Sequence, residues 1–141
     1  MRRLTRAGWW LGLLMVGTGI TVTAQSEPPP PRAELKENQP NPFVTSTTIP
    51  FEIASEVCSG GHRPEVSLKV YNVLVQVVAV PVLIGDGDRL DNARLGCGSH
   101  QAYWDGMYLD GQRAATAGIY YYQLTVDGER YTRKMRKTTN P

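Results

Sequence analysis

The chain has 141 residues, with 15 lysines and arginines against 13 aspartates and glutamates, and its formal net charge is +2. Three of the basic residues, Arg2, Arg3 and Arg6, lie within the first six positions, and without them 12 basic residues remain against 13 acidic ones. This near-neutral remainder gives no support to nucleic-acid binding, which requires a basic face on the folded domain.

The first 24 residues are predicted to be a secretory signal peptide. A basic segment covers residues 1–6, an apolar run covers residues 7–20, and small residues at 22–24 form a cleavage site. The apolar run is shorter than the ~20 residues that span a bilayer. We therefore expect a bacterial protein that is exported to the periplasm, the cell surface or the extracellular medium and that meets the membrane only through its export signal. An uncleaved N-terminal anchor is the alternative.

A proline-rich linker is predicted to follow the signal, over residues 25–37. The segment shows no apolar periodicity and contains four consecutive prolines at positions 28–31, which favour an extended polyproline conformation. Residues 38–141 are then the size of a single domain.

The rest of the chain alternates apolar and polar residues with the period of two that is typical of β-strands. Val66, Leu68 and Val70 form one such apolar face. Strands are predicted near residues 47–54, 65–72, 75–84, 98–104, 118–126 and 129–136. Short strands separated by Gly, Asp and Asn turns predict an antiparallel β-sandwich.

Three local features refine these strands. Asp127-Gly128 predicts a tight hairpin between the last two strands. Pro50 cannot donate a hydrogen bond to a neighbouring strand, so its strand is predicted to lie at a sheet edge or to start at a bulge. Pro81 offers a point at which the run 75–84 divides into two strands.

Four motifs occur in order along the predicted domain. They are Asn38-Gln39-Pro40-Asn41-Pro42-Phe43, then Val66-Ser67-Leu68-Lys69-Val70-Tyr71-Asn72, then Trp104-Asp105-Gly106, and finally Gly118-Ile119-Tyr120-Tyr121-Tyr122 running on to Arg133-Lys134-Met135. At these separations they resemble the immunoglobulin-like domain of flagellar hook-capping proteins and the closely related C-terminal sorting domain of bacterial type IX secretion cargo. The resemblance covers about residues 38–137.

The resemblance implies an immunoglobulin-like sandwich of about seven strands, with structural roles for Asn41, Pro42, Phe43, Trp104, Asp105, Gly106, Gly111, Gly118, Tyr120 and Tyr122. Phe43 is expected to plug the start of the sandwich. Trp104 is expected to place its ring in the core before Asp105 and Gly106 turn the chain. The sequence departs from the family at Val75, where a glycine is typical, and in a longer loop between residues 84 and 98.

Cys58 and Cys97 are the only cysteines. Export to an oxidising compartment favours a disulfide between them. Two independent thiols are the alternative.

The sequence contains no recognised arrangement of residues for catalysis or for binding a metal or cofactor. His62 and His100 have no cysteine, histidine or carboxylate at the spacing of zinc ligands. Asp86, Asp88 and Asp91 lack the glycine and the distal glutamate of a calcium-binding EF-hand. We therefore expect that the protein is not an enzyme and has no cofactor, no metal and no small-molecule substrate.

Five basic residues lie within eight positions near the C-terminus: Arg130, Arg133, Lys134, Arg136 and Lys137. On an edge strand, such charges prevent unwanted pairing with another sheet. A contact surface for an acidic protein partner is the alternative, and the sequence leaves both interpretations open.

Two functions of different class remain open. By resemblance, the domain is a folded sorting signal that the outer-membrane type IX machinery recognises. Alternatively, it is a free-standing structural or adhesive module that binds another cell-envelope protein through its loops or an exposed edge. Both hypotheses predict a protein partner.

Overall fold

The computed structural model describes residues 12–140, and it is an all-β sandwich of two antiparallel sheets. The strands are β1 Ala33–Leu35, β2 Thr47–Ile53, β3 Glu65–Tyr71, β4 Val77–Ala79, β5 Val82–Leu83, β6 Ala93–Arg94, β7 Gly98–Trp104, β8 Gly118–Val126 and β9 Glu129–Lys137. The first sheet has the order β1-β2-β7-β5. The second has the order β4-β3-β8-β9, with β6 paired to the start of β3. A broken 3-10 helix covers Ser55–Gly61.

Alternation of apolar residues along the strands builds the core, as the sequence predicts. In β3 the side chains of Val66, Leu68 and Val70 are fully buried. They pair across the second sheet with buried residues of β8. Residues of β2 face them from the first sheet, so the two apolar faces close on each other. The predicted antiparallel sandwich is confirmed.

The predicted run 75–84 is divided into two strands that belong to different sheets. β4 pairs with β3 in the second sheet, whereas β5 pairs with β7 in the first. Pro81 lies between them and lacks the N–H that a continuous ladder would need. The pairing of β3 with β4 also shifts register between Val70 and Tyr71, just before the turn that contains Val75.

The hairpin predicted at Asp127-Gly128 is confirmed. Val126 and Glu129 are the last pair before the turn, and the two residues between them have φ angles of +47° and +85°. Positive φ at both central positions is typical of the type I′ turn that matches the twist of a β-hairpin. This turn sets the register of β9 against β8.

The domain begins earlier than the sequence predicts. β1 lies inside the segment predicted as a linker, pairing Ala33 with Ile53 and Leu35 with Phe51. The side chains of Ala33 and Leu35 are buried, because the short alternation Ala-Glu-Leu covers the core once β2 is in place. The linker prediction is therefore wrong for these residues.

The segment before β1 has no regular structure where it is described. Residues 12–31 form no helix or strand and are exposed. The first eleven residues of the predicted signal peptide lie outside the described part, and the signal stays a prediction. Within residues 12–140, no helix is long and apolar enough to cross a membrane.

The edge position predicted for the strand containing Pro50 is wrong. β2 has β1 on one side and β7 on the other. The carbonyl of Pro50 accepts a hydrogen bond from the Lys36 N–H at 3.0 Å. In an antiparallel pair, the N–H and C=O of one residue both point to the same neighbouring strand. Pro50 has no N–H, so the Lys36 carbonyl receives no hydrogen bond from it.

Candidate functional site

Three motifs that are far apart in the sequence meet in one aromatic cluster. The rings of Phe43 and Trp104 pack edge to face with centroids 5.5 Å apart, and those of Trp104 and Tyr120 do so at 5.4 Å. All three side chains are buried. The expected roles of Phe43 and Trp104 in the core agree with this arrangement, and the cluster joins the two sheets.

Trp104, Asp105 and Gly106 form a turn that depends on each residue. The indole N–H of Trp104 donates to the Met107 carbonyl at 2.9 Å, and an Asp105 carboxylate oxygen accepts from the Met107 N–H at 2.9 Å. Gly106 has a φ of +75° and packs directly against the backbone of Thr45. Only a residue without a Cβ fits at this position.

The loop from residue 107 to Gly118 is held by local polar contacts. Gly111, with a φ of +67°, turns the chain. Arg113 and two backbone N–H groups donate hydrogen bonds to Asp110, which lowers the pKa of Asp110 to about 2. The Tyr120 hydroxyl donates to the Thr116 carbonyl at 2.7 Å, and Gly118 begins β8 opposite Lys137.

The hydroxyl of Tyr122 replaces the hydrogen bond that Pro50 cannot make. It donates to the Lys36 carbonyl at 2.8 Å and accepts from the Asn38 N–H at 3.1 Å. Burial raises the pKa of Tyr122, so the phenol remains a donor at neutral pH. The buried Asn38 side chain donates in turn to Thr47 and Pro40. The importance of this polar link was not predicted from the sequence.

Replacing Tyr122 by phenylalanine is expected to lower the free energy of unfolding by about 2 kcal/mol, because the Lys36 carbonyl and the Asn38 N–H both lose their partner. Urea unfolding of the two proteins measures the difference. Tyr121→Phe is the matched control: Tyr121 is exposed and its hydroxyl has no hydrogen-bond partner within residues 12–140, so we expect a change within about 0.5 kcal/mol. Equal effects of the two substitutions would contradict this assignment.

Asn41, Pro42 and Phe43 bind the end of β9. The Asn41 side-chain oxygen accepts a hydrogen bond from the Arg136 N–H at 3.1 Å. The Phe43 N–H donates to the Arg136 carbonyl at 3.0 Å, and the Thr138 N–H donates to the Phe43 carbonyl at 2.8 Å. Pro42 lies between these contacts and follows a cis peptide bond. The N-terminal motif therefore covers the last part of an edge strand.

The pleat of β9 separates the five basic residues into two groups. Met135 is buried opposite Tyr120, so the odd-numbered residues of β9 point to the core side. Arg133 accordingly donates to the Leu35 carbonyl at 3.4 Å, and Lys137 reaches towards Gly106. The structure does not bring the five residues together as one patch.

The other three basic residues, Arg130, Lys134 and Arg136, lie on the outer face of the second sheet, the face that points away from the core. All three are exposed. Within the described part of the chain, none of them forms an ion pair. These uncompensated positive charges make the outer face attractive to acidic groups.

β9 is an edge strand, as the basic cluster suggested, and only part of its edge is covered. The bonds from Asn41 and Phe43 show that the backbone groups of Arg136 point outward. Because backbone groups alternate in direction along an antiparallel strand, the N–H and C=O groups of Arg130, Thr132 and Lys134 also point outward, away from β8. Within residues 12–140 these groups have no backbone partner on the outward side. We call this segment, residues 130–134, the free edge of β9.

The predicted disulfide between Cys58 and Cys97 is confirmed. Their Cα atoms are 6.1 Å apart, within the usual range for a bridged pair. Cys58 lies in the 3-10 segment and Cys97 directly precedes β7, so both lie at the same end of the sandwich. The bridge fixes the loop after β2 to the strand that pairs with β2.

Both histidines have local partners. His62 lies 2.8 Å from an Asp127 carboxylate oxygen, and His100 lies 2.8 Å from the Gly96 carbonyl. Partial burial alone would raise the pKa of Asp127, but hydrogen bonds from the Glu65 N–H and from His62 outweigh it and lower the pKa. Within the described residues, no group of three or more His, Cys, Asp or Glu side chains is placed to hold a metal ion.

The geometry thus defines a disulfide-bridged β-sandwich domain with a partly free, basic edge strand. No model of a known protein family matches the sequence, and a search of curated proteins also finds no match.

Proposed function

We propose that this chain is a non-catalytic, exported β-sandwich module whose β9 strand is bound by the outer-membrane type IX secretion machinery. The observation that carries the proposal is the free edge of β9, whose outward backbone groups lie beside the exposed side chains of Arg130 and Lys134. An exposed sheet edge accepts an added strand from a partner, and the main-chain hydrogen bonds supply affinity. The basic side chains favour a partner with acidic groups.

Two further observations support the proposal. The motif residues that the sorting-domain resemblance singles out are used to hold the sandwich together, through the aromatic cluster and the cover over Arg136. The disulfide is a bond that persists in oxidising compartments, as expected for an exported protein. Together they favour an exported structural module that other proteins bind.

Export of a reporter tests the proposal. We would insert an inert reporter protein between residues 25 and 28, ahead of the first strand, and measure its amount on the surface of cells with and without the type IX machinery. The surface signal is expected only in cells that have the machinery. A reporter that stays in the periplasm of both strains would reject the sorting function.

Thr132→Pro then tests the free edge itself. The Thr132 N–H points outward, so proline removes one edge donor without breaking the ladder to β8. The surface signal is expected to fall about tenfold, equivalent to one main-chain hydrogen bond of about 1.4 kcal/mol. Thr132→Val, which keeps the N–H, is the matched control and should be exported normally. Normal export of a folded Thr132→Pro protein would contradict binding at this edge.

The alternative is a free-standing structural or adhesive module that binds another cell-envelope protein. The same free edge of β9 favours it, since strand addition does not require a secretion partner. A periplasmic pull-down that returns one stoichiometric partner, lost in Thr132→Pro and kept in Thr132→Val, would support this function in place of sorting.

A further inference from the structure

The turn between β3 and β4 exposes three consecutive aliphatic side chains. Val73, Leu74 and Val75 are 65%, 72% and 77% exposed; we call them the aliphatic tip. No charged residue occurs between Lys69 and Asp86. Turns of this kind are normally built from Gly, Asn, Asp and Ser, so three adjacent aliphatic residues are unexpected here.

The aliphatic tip is held in one conformation by Asn72. The Asn72 side-chain oxygen accepts hydrogen bonds from the Leu74 and Gln76 N–H groups, both at 3.0 Å. Its backbone carbonyl accepts from the Val75 N–H at 3.0 Å. These bonds present the three side chains without the entropy loss that a flexible loop would suffer on binding.

Val75 adds a second unfavourable feature at the same place. Its φ is +61°, in the left-handed region that a β-branched residue rarely adopts. A glycine would remove both the strain and one exposed apolar side chain. Strained residues of this kind cluster at active sites, ligand clamps and switch regions.

Two basic residues, Lys134 and Arg136, lie at the same end of the sandwich as the aliphatic tip, on the outer face of the second sheet. Behind the turn, the hollow beside Asn72 and Val77 is lined by Asp110 and Arg113, which pair with each other at 2.8 Å. β3 and β9 run in the same direction, so the tip and the end of β9 lie at one end of the sandwich. Tyr71, Tyr121 and Lys134 are paired neighbours across three strands, which places Lys134 about 10 Å from the base of the tip. Arg136 lies two residues further along β9, on the same face and closer to that end.

We propose that the aliphatic tip inserts into the surface of an anionic lipid bilayer, while Lys134 and Arg136 contact the lipid phosphates. An apolar protrusion with basic residues on the adjoining face matches the layered chemistry of such a surface, apolar below and negative above. The tip carries no aromatic, charged or hydrogen-bonding side chain that would select a particular protein groove. Insertion into a bilayer requires only apolar side chains, and this favours lipid over a protein partner.

Flotation with lipid vesicles tests the proposal. The probe is the form that starts at Gln25, which keeps every core residue because these lie between Ala33 and Met135. It is expected to float with vesicles of phosphatidylglycerol and phosphatidylcholine. Leu74→Asn combined with Val75→Gly should lower the partition coefficient at least about tenfold. Lys134→Gln and Arg136→Gln should each lower it about fivefold on these vesicles and leave binding to pure phosphatidylcholine unchanged.

Ile84→Asn is the matched control, since Ile84 is 49% exposed and lies away from the tip, beside Gln101 of β7. It should bind vesicles like the parent. Absence of parent binding, or equal binding by the tip variant, would overturn the proposal. If the parent fails to bind lipid while tip variants lose a defined envelope-protein partner, the tip is a protein-docking element instead.

Discussion

Gly106→Ala is expected to lower the free energy of unfolding by about 3 kcal/mol. Two costs combine: a residue other than glycine is strained at a φ of +75° by about 1–2 kcal/mol, and overpacking adds about 1–3 kcal/mol. The added Cβ would overlap the carbonyl oxygen of Thr45 and lie 3.4 Å from the Lys137 side chain. Because the overlapped atom belongs to the backbone, it cannot move aside by a change of rotamer.

Gly111→Ala separates these two costs. Gly111 has a similar φ of +67°, but a Cβ there meets nothing within 4 Å. We expect this substitution to cost about 1–2 kcal/mol, the strain alone. Urea or guanidinium unfolding of both variants measures the difference. If Gly106→Ala and Gly111→Ala destabilise the domain equally, the close approach of Thr45 to Gly106 does not contribute to the loss of stability.

Removing the disulfide is expected to have the largest effect on stability. The bridge joins residues 39 positions apart, and in the chain-entropy model closing such a loop contributes about 4 kcal/mol. The Cys58→Ser, Cys97→Ser double variant should therefore lose about 4 kcal/mol of unfolding free energy. The loss comes mainly from the greater freedom of the unfolded chain, and unfolding in guanidinium measures it.

Reductant supplies the control for this variant. The parent protein should unfold at the same midpoint as the double variant when dithiothreitol is present, and the double variant should not respond to it. A parent whose unfolding midpoint is the same with and without reductant would show that the bridge does not stabilise the domain.

Most of the fold could be predicted from the sequence, because its strands are half-buried and alternate cleanly. The residues of β3 and β8 read as strands by period alone, and Asp127-Gly128 identifies the hairpin. β1 could not be predicted in this way. It has three residues, and its burial depends on the presence of β2, a tertiary effect that no local pattern encodes.

The candidate site was only partly predictable. The sequence shows the basic residues of β9 as a cluster, but the period of two that places Met135 in the core also divides them between two faces. The hydrogen bonds of Tyr122 cannot be predicted from a local pattern, because they compensate for Pro50, a residue distant in sequence. Val75 stands where a glycine is typical of the domains that the sequence resembles, and its φ of +61° is one that glycine adopts without strain.

The hydrogen bond between Arg136 and Asn41 joins the first and last parts of the domain. These residues are 95 positions apart, and Tyr131 binds the Arg32 backbone across 99. Because both contacts use residues of β9, this edge of the sandwich is closed only when the last strand is in place. A chain without β9 would therefore also lose the bonds that hold its first segment, so the two ends of the domain become ordered together.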